Sequence, residues 1–294
     1  MTLRSFHDVP APAKLNLFLH LIGRRADGYH LLQSVFVLID WCDRLHFEAR
    51  ADGNLRRHDL GAKLPDDDLC LRAARALLSA SGCTRGADIS IDKQVPWGAG
   101  LGGGSSDAAS TLLALNRLWG LNWPRAKLQA LGLTLGADVP FFVGGHNAFV
   151  EGIGERLTPV QVPAQWLAVL KPDVAIETRT LFASALLVRN TEAVILEGFP
   201  ADVSERVGPL LQGAGRNDMQ PAAEASCAEV AQAASLLRSR FGNSRMTGSG
   251  SAVFARAGIG SEPLSELPSA IPAGWIGRMC RSLEAHPLVG WAED

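Results

Sequence analysis

The chain is short of cysteine, of long apolar runs and of clustered positive charge, and each shortage removes a class of protein. Its five cysteines, Cys42, Cys70, Cys83, Cys227 and Cys280, are scattered, odd in number and form no C-x-x-C pair. That pattern excludes a disulfide framework and a zinc site, and it reads as reduced thiols in a cytoplasm. No run of about 18 apolar residues occurs, and residues 1–12 hold no apolar core of signal-peptide length. The expected location is therefore cytoplasmic, without membrane contact. Net charge is −2 and no Lys/Arg cluster is long enough to track a phosphate backbone, so nucleic acid is not an expected partner. Phosphates on a small ligand would have to be met by local positive groups. Internal repeats and low-complexity tracts are also missing. What remains is a globular chain of 294 residues, 47% hydrophobic and 20% charged, enough for one large or two ordinary domains.

Glycine, in contrast, is concentrated. The stretch Pro96-Trp97-Gly98-Ala99-Gly100-Leu101-Gly102-Gly103-Gly104-Ser105-Ser106-Asp107 lies between two patterned elements. Before it, over 87–95, Ile89, Ile91 and Val95 alternate with polar residues as in a strand; after it, over 107–119, Ala108, Leu112, Leu115 and Trp119 fall at helical spacing. A linker would not sit wedged between such elements. A glycine-dense strand-to-helix turn, with glycines such as Gly103 free to take positive φ, lets backbone approach a ligand closely. It adds the unpaired N–H groups and positive dipole end of the helix. That arrangement binds phosphate. Two familiar loops are excluded. A P-loop ends in Gly-Lys-Ser/Thr, but no lysine occurs between Lys93 and Lys127. Gly98-x-Gly100-x-x-Gly103 matches a dinucleotide fingerprint, yet a second helix follows where a parallel strand is required: Asn122 as cap, Pro124 near its first position, Leu128, Leu131 and Leu135 as its stripe.

Elsewhere, Leu15, Leu17, Leu19 and Leu21 alternate over 14–21, Asp27-Gly28 supplies a turn and 31–39 is a second strand, a β-hairpin. Asp66 to Asp68 precede a helix over 69–79. Gly152, Gly154 and Pro159 mark a boundary, giving domains 1–158 and 159–294, with the C-terminal end able to pack back on the first. The second half reads as a strand at 166–170, helices at 180–187, 203–211 and 223–241, and strands near 246, 252–255 and 275–281. Strands and helices mix without strict alternation, which indicates an α+β class. Two further residues have chemistry. Asp138 follows the helix stop Gly136 and precedes Val139-Pro140, an extended step, so it is either a cap or a general base. Lys14 projects to the same strand face as Asn16, opposite Leu15 and Leu17, as an edge lysine or as a partner for a carboxylate.

The glycine run, together with Pro12-Ala13-Lys14-Leu15-Asn16-Leu17, Asp27-Gly28-Tyr29-His30, Gly136-Ala137-Asp138-Val139-Pro140 and Thr247-Gly248-Ser249-Gly250-Ser251, resembles the GHMP kinases, in order from about residue 12 to about 255. The resemblance is to members whose acceptor is a cytidine-diphosphate sugar alcohol. It implies a two-domain α+β fold, a ribosomal protein S5 domain 2-like N-terminal domain plus a C-terminal α+β domain, with the active site in the cleft. It implies ATP held by Pro96 to Asp107, as quoted above, with Lys93 and Leu69. Lys14 and Asp138 would be the catalytic pair, and Asn16, Tyr29, His30, Thr178 and Phe182 would meet the acceptor. Tyr29 is the one tyrosine of the chain. Mg²⁺ is expected with the nucleotide; Ser105 or Ser106 could offer it a hydroxyl, and its protein ligands are otherwise unassigned. The expected state is a monomer or weak homodimer. Two departures stand out: Asp68 in place of an asparagine that would read adenine, and Trp97 in place of a smaller apolar residue.

Overall fold

The computed structural model of the chain describes residues 4–194 and 215–294. Its centre is a long hairpin, β1 (Ser5–Arg24) antiparallel to β2 (His30–Arg50), with Leu15 opposite Val37 and Asn16 opposite Phe36. The alternating leucines build it, and Gly28, at φ 93°, turns it. Both strands run well past the 14–21 and 31–39 expected, through register shifts that break the alternation, such as those between Pro12 and Lys14 and between Asn16 and Leu19. β2 pairs further with β4 (Gly86–Asp92) and with β5 (Ala148–Gly152). With β3 (Leu55–Asp59) and β6 (Arg156–Pro159) at the ends, the order is β3-β4-β2-β5-β6, with β1 on β2.

One layer of helices covers this sheet: α1 (Leu69–Ser81), α2 (Gly103–Leu118), α3 (Arg125–Leu133) and α4 (Val139–Gly144). α2 is buried almost throughout, with Leu112, Leu113 and Leu115 fully enclosed; each such leucine contributes about 1.5–3 kcal/mol. It starts at Gly103, not near residue 107. Gly102, at φ 72°, is its N-cap, so the glycine run supplies the first turn of the helix as well as the loop.

A second antiparallel sheet, order β10-β7-β9-β8, consists of β7 (Gln165–Lys171), β8 (Arg245–Met246), β9 (Val253–Ile259) and β10 (Ile276–Arg281). α5 (Thr178–Ala183) ends before the expected 187, because Ser184 is extended and Arg189 ties the carbonyls of Phe182 and Ser184. The helix expected over 223–241 is two, α6 (Gln220–Ser226) and α7 (Ala228–Phe241), broken at the extended Cys227. The helix expected over 203–211 lies outside the described residues. Between the sheets sits a core containing Leu15, Leu17, Phe18, Leu101, Leu167 and Phe254. The chain then returns to the first sheet: Ser282 bridges Ile39, Ala285 bridges His146, and the buried Arg125 bonds Val143 O, Ala292 O and Asp294 Oδ1. No helix among the described residues is long and apolar enough to cross a membrane.

Candidate active site

β4 leads into the glycine run through a stem fixed from below by β2. Trp41 Nε1 donates to Gln94 O at 2.9 Å, and the fully buried Asp43 accepts from the amides of Gln94 and Val95 at 2.6 and 2.7 Å. Positive φ falls on Gly98, Gly100 and Gly102, at 58°, 72° and 72°. Gly103, expected to need it, is instead the first residue of α2, and is small because a Cβ there would meet Val95 Cγ1 at 3.0 Å. The loop carbonyls are taken from both sides: Lys14 N donates to Leu101 O, Ser251 N to Gly98 O and Ala252 N to Ala99 O, at 2.9, 3.1 and 3.2 Å. Above lies a cavity of about 400 Å³ lined by residues 95–105, Lys93, Asp107, Asp68 and Leu69, with Ile176, Thr178 and Ser249 opposite. Every residue expected at the nucleotide therefore faces it except Ser106, which is fully buried with its Oγ unpartnered.

Lys14 is no exposed edge lysine. It is 3% exposed, and its Nζ donates to Asn16 Oδ1 at 2.6 Å and to Gly100 O of the loop at 3.0 Å, with Asp138 Oδ2 at 3.6 Å. Burial pushes its ammonium below the usual lysine range, and the Asp138 carboxylate opposes that fall. Asp138 was expected before an extended step; its backbone is helical (φ −82°, ψ −16°) and leads directly into α4. Pro140 lies in the first turn, where its missing N–H costs nothing. Asp138 occupies the N-cap position, but its side chain makes no capping hydrogen bond and is 31% exposed. Its carboxylate is thus available beside a buried ammonium and the glycine loop.

Lys93 lines the cavity while its Nζ bonds Asp43 Oδ2 and Asp107 Oδ2, joining the two stems of the loop. Burial lowers the Lys93 ammonium, but the two carboxylates outweigh it and the net shift is upward. Burial also holds the Asp107 carboxyl well above its ordinary range, against the pull of Lys93. Asp68 caps α1 through Leu71 N at 3.0 Å and pairs with Arg57 at 2.9 Å, so one of its oxygens is committed to the fold. Trp97 is half exposed on the cavity wall.

The acceptor residues divide. His30 and Phe182 stack face to face, centroids 4.4 Å apart and planes 10° off parallel, bringing the hairpin turn to α5. Burial, then Arg24 and Arg189, lower the His30 imidazole, and its Nε2 is enclosed without a partner. Tyr29 is 61% exposed and joins neither ring. Thr178 Oγ1 donates to Ser249 Oγ at 2.8 Å on the cavity rim. Asn16 is 2% exposed, with Oδ1 on Lys14 and Nδ2 on Ser34 Oγ.

Comparison with known proteins gives the family. Residues 68–146 match the model of the GHMP kinases N terminal domain, and 195–268 that of the GHMP kinases C terminal. The chain is 65% identical to the 4-diphosphocytidyl-2-C-methyl-D-erythritol kinase of Methylibium petroleiphilum over 99% of this chain and 100% of that protein. With the protein of that name from Verminephrobacter eiseniae the identity is 56%, over 99% of each. The chain belongs to the 4-diphosphocytidyl-2-C-methyl-D-erythritol kinases of the GHMP family. It is a small-molecule kinase with that family's two-domain α+β fold. A crystal structure of 4-(cytidine 5'-diphospho)-2C-methyl-D-erythritol kinase superposes with TM-score 0.71 at 34% identity, covering 84% of this chain and 89% of that one. Methanococcus jannaschii mevalonate kinase, at 14% identity and TM-score 0.63 over 95% and 98%, shares the fold.

Sequence reasoning missed Asp43, Arg57 and Thr247 among the residues that organise the candidate site. Asp43 lies 50 positions from Lys93 and Thr247 lies 231 from Asn16. Of the three only Thr247 lies in a sequence motif, Thr247-Gly248-Ser249-Gly250-Ser251, where the glycines are the stronger signal.

Proposed function

We propose that the protein transfers the γ-phosphoryl group of ATP to the 2-hydroxyl of 4-(cytidine 5'-diphospho)-2-C-methyl-D-erythritol, the kinase step of the non-mevalonate isoprenoid pathway. The observation that carries this reading is the Lys14–Asp138 pair, 3.6 Å apart and tied by Lys14 Nζ to Gly100 O of the glycine loop. Asp138 takes the hydroxyl proton on Oδ2, the alcohol oxygen forms its bond to the γ-phosphorus, and the bond to the β-phosphate oxygen breaks, releasing ADP. Lys14 offsets the charge on the transferred group, which a buried ammonium does more strongly than a solvated one. The loop N–H groups and the first turn of α2 hold the phosphates.

The residues fit a magnesium–nucleotide complex. Ser106 Oγ and Asp107 Oδ1 are buried oxygens without hydrogen-bond partners in the first turns of α2, and no group of three acidic, His or Cys side chains that could cage an ion occurs among the described residues. Ser105 and Asp107, which line the cavity, would hold the ion together with phosphates and water, and Ser106, enclosed beneath them, would reach it only after its side chain turns toward the cavity. Mg²⁺ would neutralise phosphate charge. On the acceptor side, Tyr29, His30 and Phe182 would meet the cytosine, with Asn16 and Thr178 nearby.

A coupled ADP-release assay tests the reading, with the cytidine-diphosphate compound set against homoserine, mevalonate and galactose. We expect kcat/KM for the cytidine compound to exceed the others by about a hundredfold or more. Equal turnover of any rival refutes the assignment.

A further inference from the structure

We propose that Thr247, just after β8 in the second sheet, is a positioning residue that aims the Lys14 ammonium. The proposal rests on Lys14 acting in phosphoryl transfer. Thr247 is fully buried. Its Oγ1 accepts the Asn16 N–H at 2.9 Å and lies 3.3 Å from Asn16 Oδ1 and 3.4 Å from Gly100 O. Those are the same two oxygens that Lys14 Nζ bonds. The single hydroxyl proton can go to either of the two acceptors that the ammonium uses, so hydroxyl and ammonium compete for the same oxygens and a change at one resets the other.

The surroundings leave little slack. Asn16 Nδ2 donates to Ser34 Oγ at 2.9 Å, and Ser34 Oγ to Phe18 O at 2.5 Å, so the amide cannot turn to compensate. Thr247 N donates to Ala252 O at 3.0 Å, and Asn217 Nδ2 holds the carbonyls on either side, Met246 O and Gly248 O, at 2.8 Å each. An ammonium has three N–H bonds. Two are fixed by Asn16 Oδ1 and Gly100 O, which leaves the third for Asp138 and the reacting group. Thr247 is not itself part of the cavity lining; it backs two residues that are, with its Oγ1 3.4 Å from Gly100 O and its carbonyl accepting Gly250 N–H at 2.9 Å, and it works through those acceptors. Valine in its place keeps the shape, orphans the buried Asn16 N–H and removes the one hydroxyl donor that competes for the acceptors of the ammonium.

The test is a kinetic cycle of Thr247→Val, Lys14→Met and the double variant, with Thr247→Ser beside it. A misaligned group costs up to about a hundredfold in rate, so Thr247→Val is expected to lower kcat about ten- to hundredfold, leaving both KM values within about threefold. Thr247→Ser restores most of the loss. In the Lys14→Met background Thr247→Val adds nothing, because the group it aims is gone. An equal further drop there, wild-type kcat in Thr247→Val, or failure of serine to rescue overturns the proposal. Lys14→Met at wild-type turnover overturns the reading of Lys14, and this proposal with it. If the valine variant does not fold, Thr247→Ala carries the same cycle.

Discussion

Asp138→Asn separates the two roles open to this residue. Asparagine preserves volume and one acceptor but cannot take a proton, and loss of a general base costs about 10²–10⁴ in rate. The charge is lost as well. Unit charges 3.6 Å apart interact by about 4–5 kcal/mol at an effective dielectric constant near 20. Asp138 is 31% exposed, so solvent cuts this to the order of 1 kcal/mol, a further several-fold in rate where Lys14 depends on its partner. Turnover is expected to fall about a thousandfold. The glycine loop is untouched, so ATP binding measured by calorimetry stays close to wild type. The pH profile supplies a second readout. Asp138 holds the proton on Lys14 against burial, so without it the Lys14 pKa drops further. Lys14 must be charged to act, and the alkaline limb of kcat/KM therefore moves to lower pH. Near wild-type turnover in the asparagine variant would mean that Asp138 merely occupies the start of α4.

Gly100→Ala should raise the KM for ATP about tenfold or more and lower Tm, since φ is 72° and the new Cβ would stand 2.2 Å from Thr247 O; Gly104→Ala, whose Cβ meets only Leu69 Cδ1 at 3.5 Å within a helix, should change KM less than about threefold. Equal effects would refute the assigned loop geometry. Burial, then Arg125, push the buried His286 down to about 3 from 6.5. On acidification the unfolded chain takes that proton first, so the stability is whole above the unfolded value and falls between pH 6.5 and about 3. At pH 5 the loss is about 2 kcal/mol; His286→Gln should remove that part of the difference in urea unfolding between pH 7 and 5, and an unchanged difference would show that the imidazole is not the source. Tyr29→Ala should raise the KM for the cytidine compound without altering its preference over the uridine analogue, whereas His30→Ala should erode the preference. The check is kcat/KM for both compounds, and full discrimination in His30→Ala would move the base elsewhere.

Local pattern made much of this molecule legible. The leucines of 14–21 announce β1, and the glycines between Ile91 and Leu112 announce a loop that meets phosphate. Limits appear where tertiary contacts override local preference. Glycine is a poor helix former, so nothing in Gly103 or Gly104 reveals that α2 already begins there. Cys227 breaks a helical pattern that would otherwise run from 220 to 241, and no proline or glycine marks it. β3 is a polar edge strand in which Arg57 pairs with Asp59 and Asp68, and its apolar content is a single leucine. Asp43 and Thr247 act on residues far along the chain, and pairings of that kind leave no periodic trace. The sequence pairs Lys14 with Asp138 only by resemblance; the contact needs the folded sheet.

The glycine loop is bonded along its edges like a strand, with Gly98 O and Ala99 O taken by Ser251 N and Ala252 N and Leu101 O by Lys14 N. Its rigidity therefore belongs to the sheets and not to the loop. In deuterium exchange the amides of Lys14, Ser251 and Ala252 should open only with wider unfolding, whether nucleotide is bound or not. The nucleotide then meets a surface ordered in advance, and its binding entropy carries little of the ordering cost that a glycine-rich segment would otherwise impose.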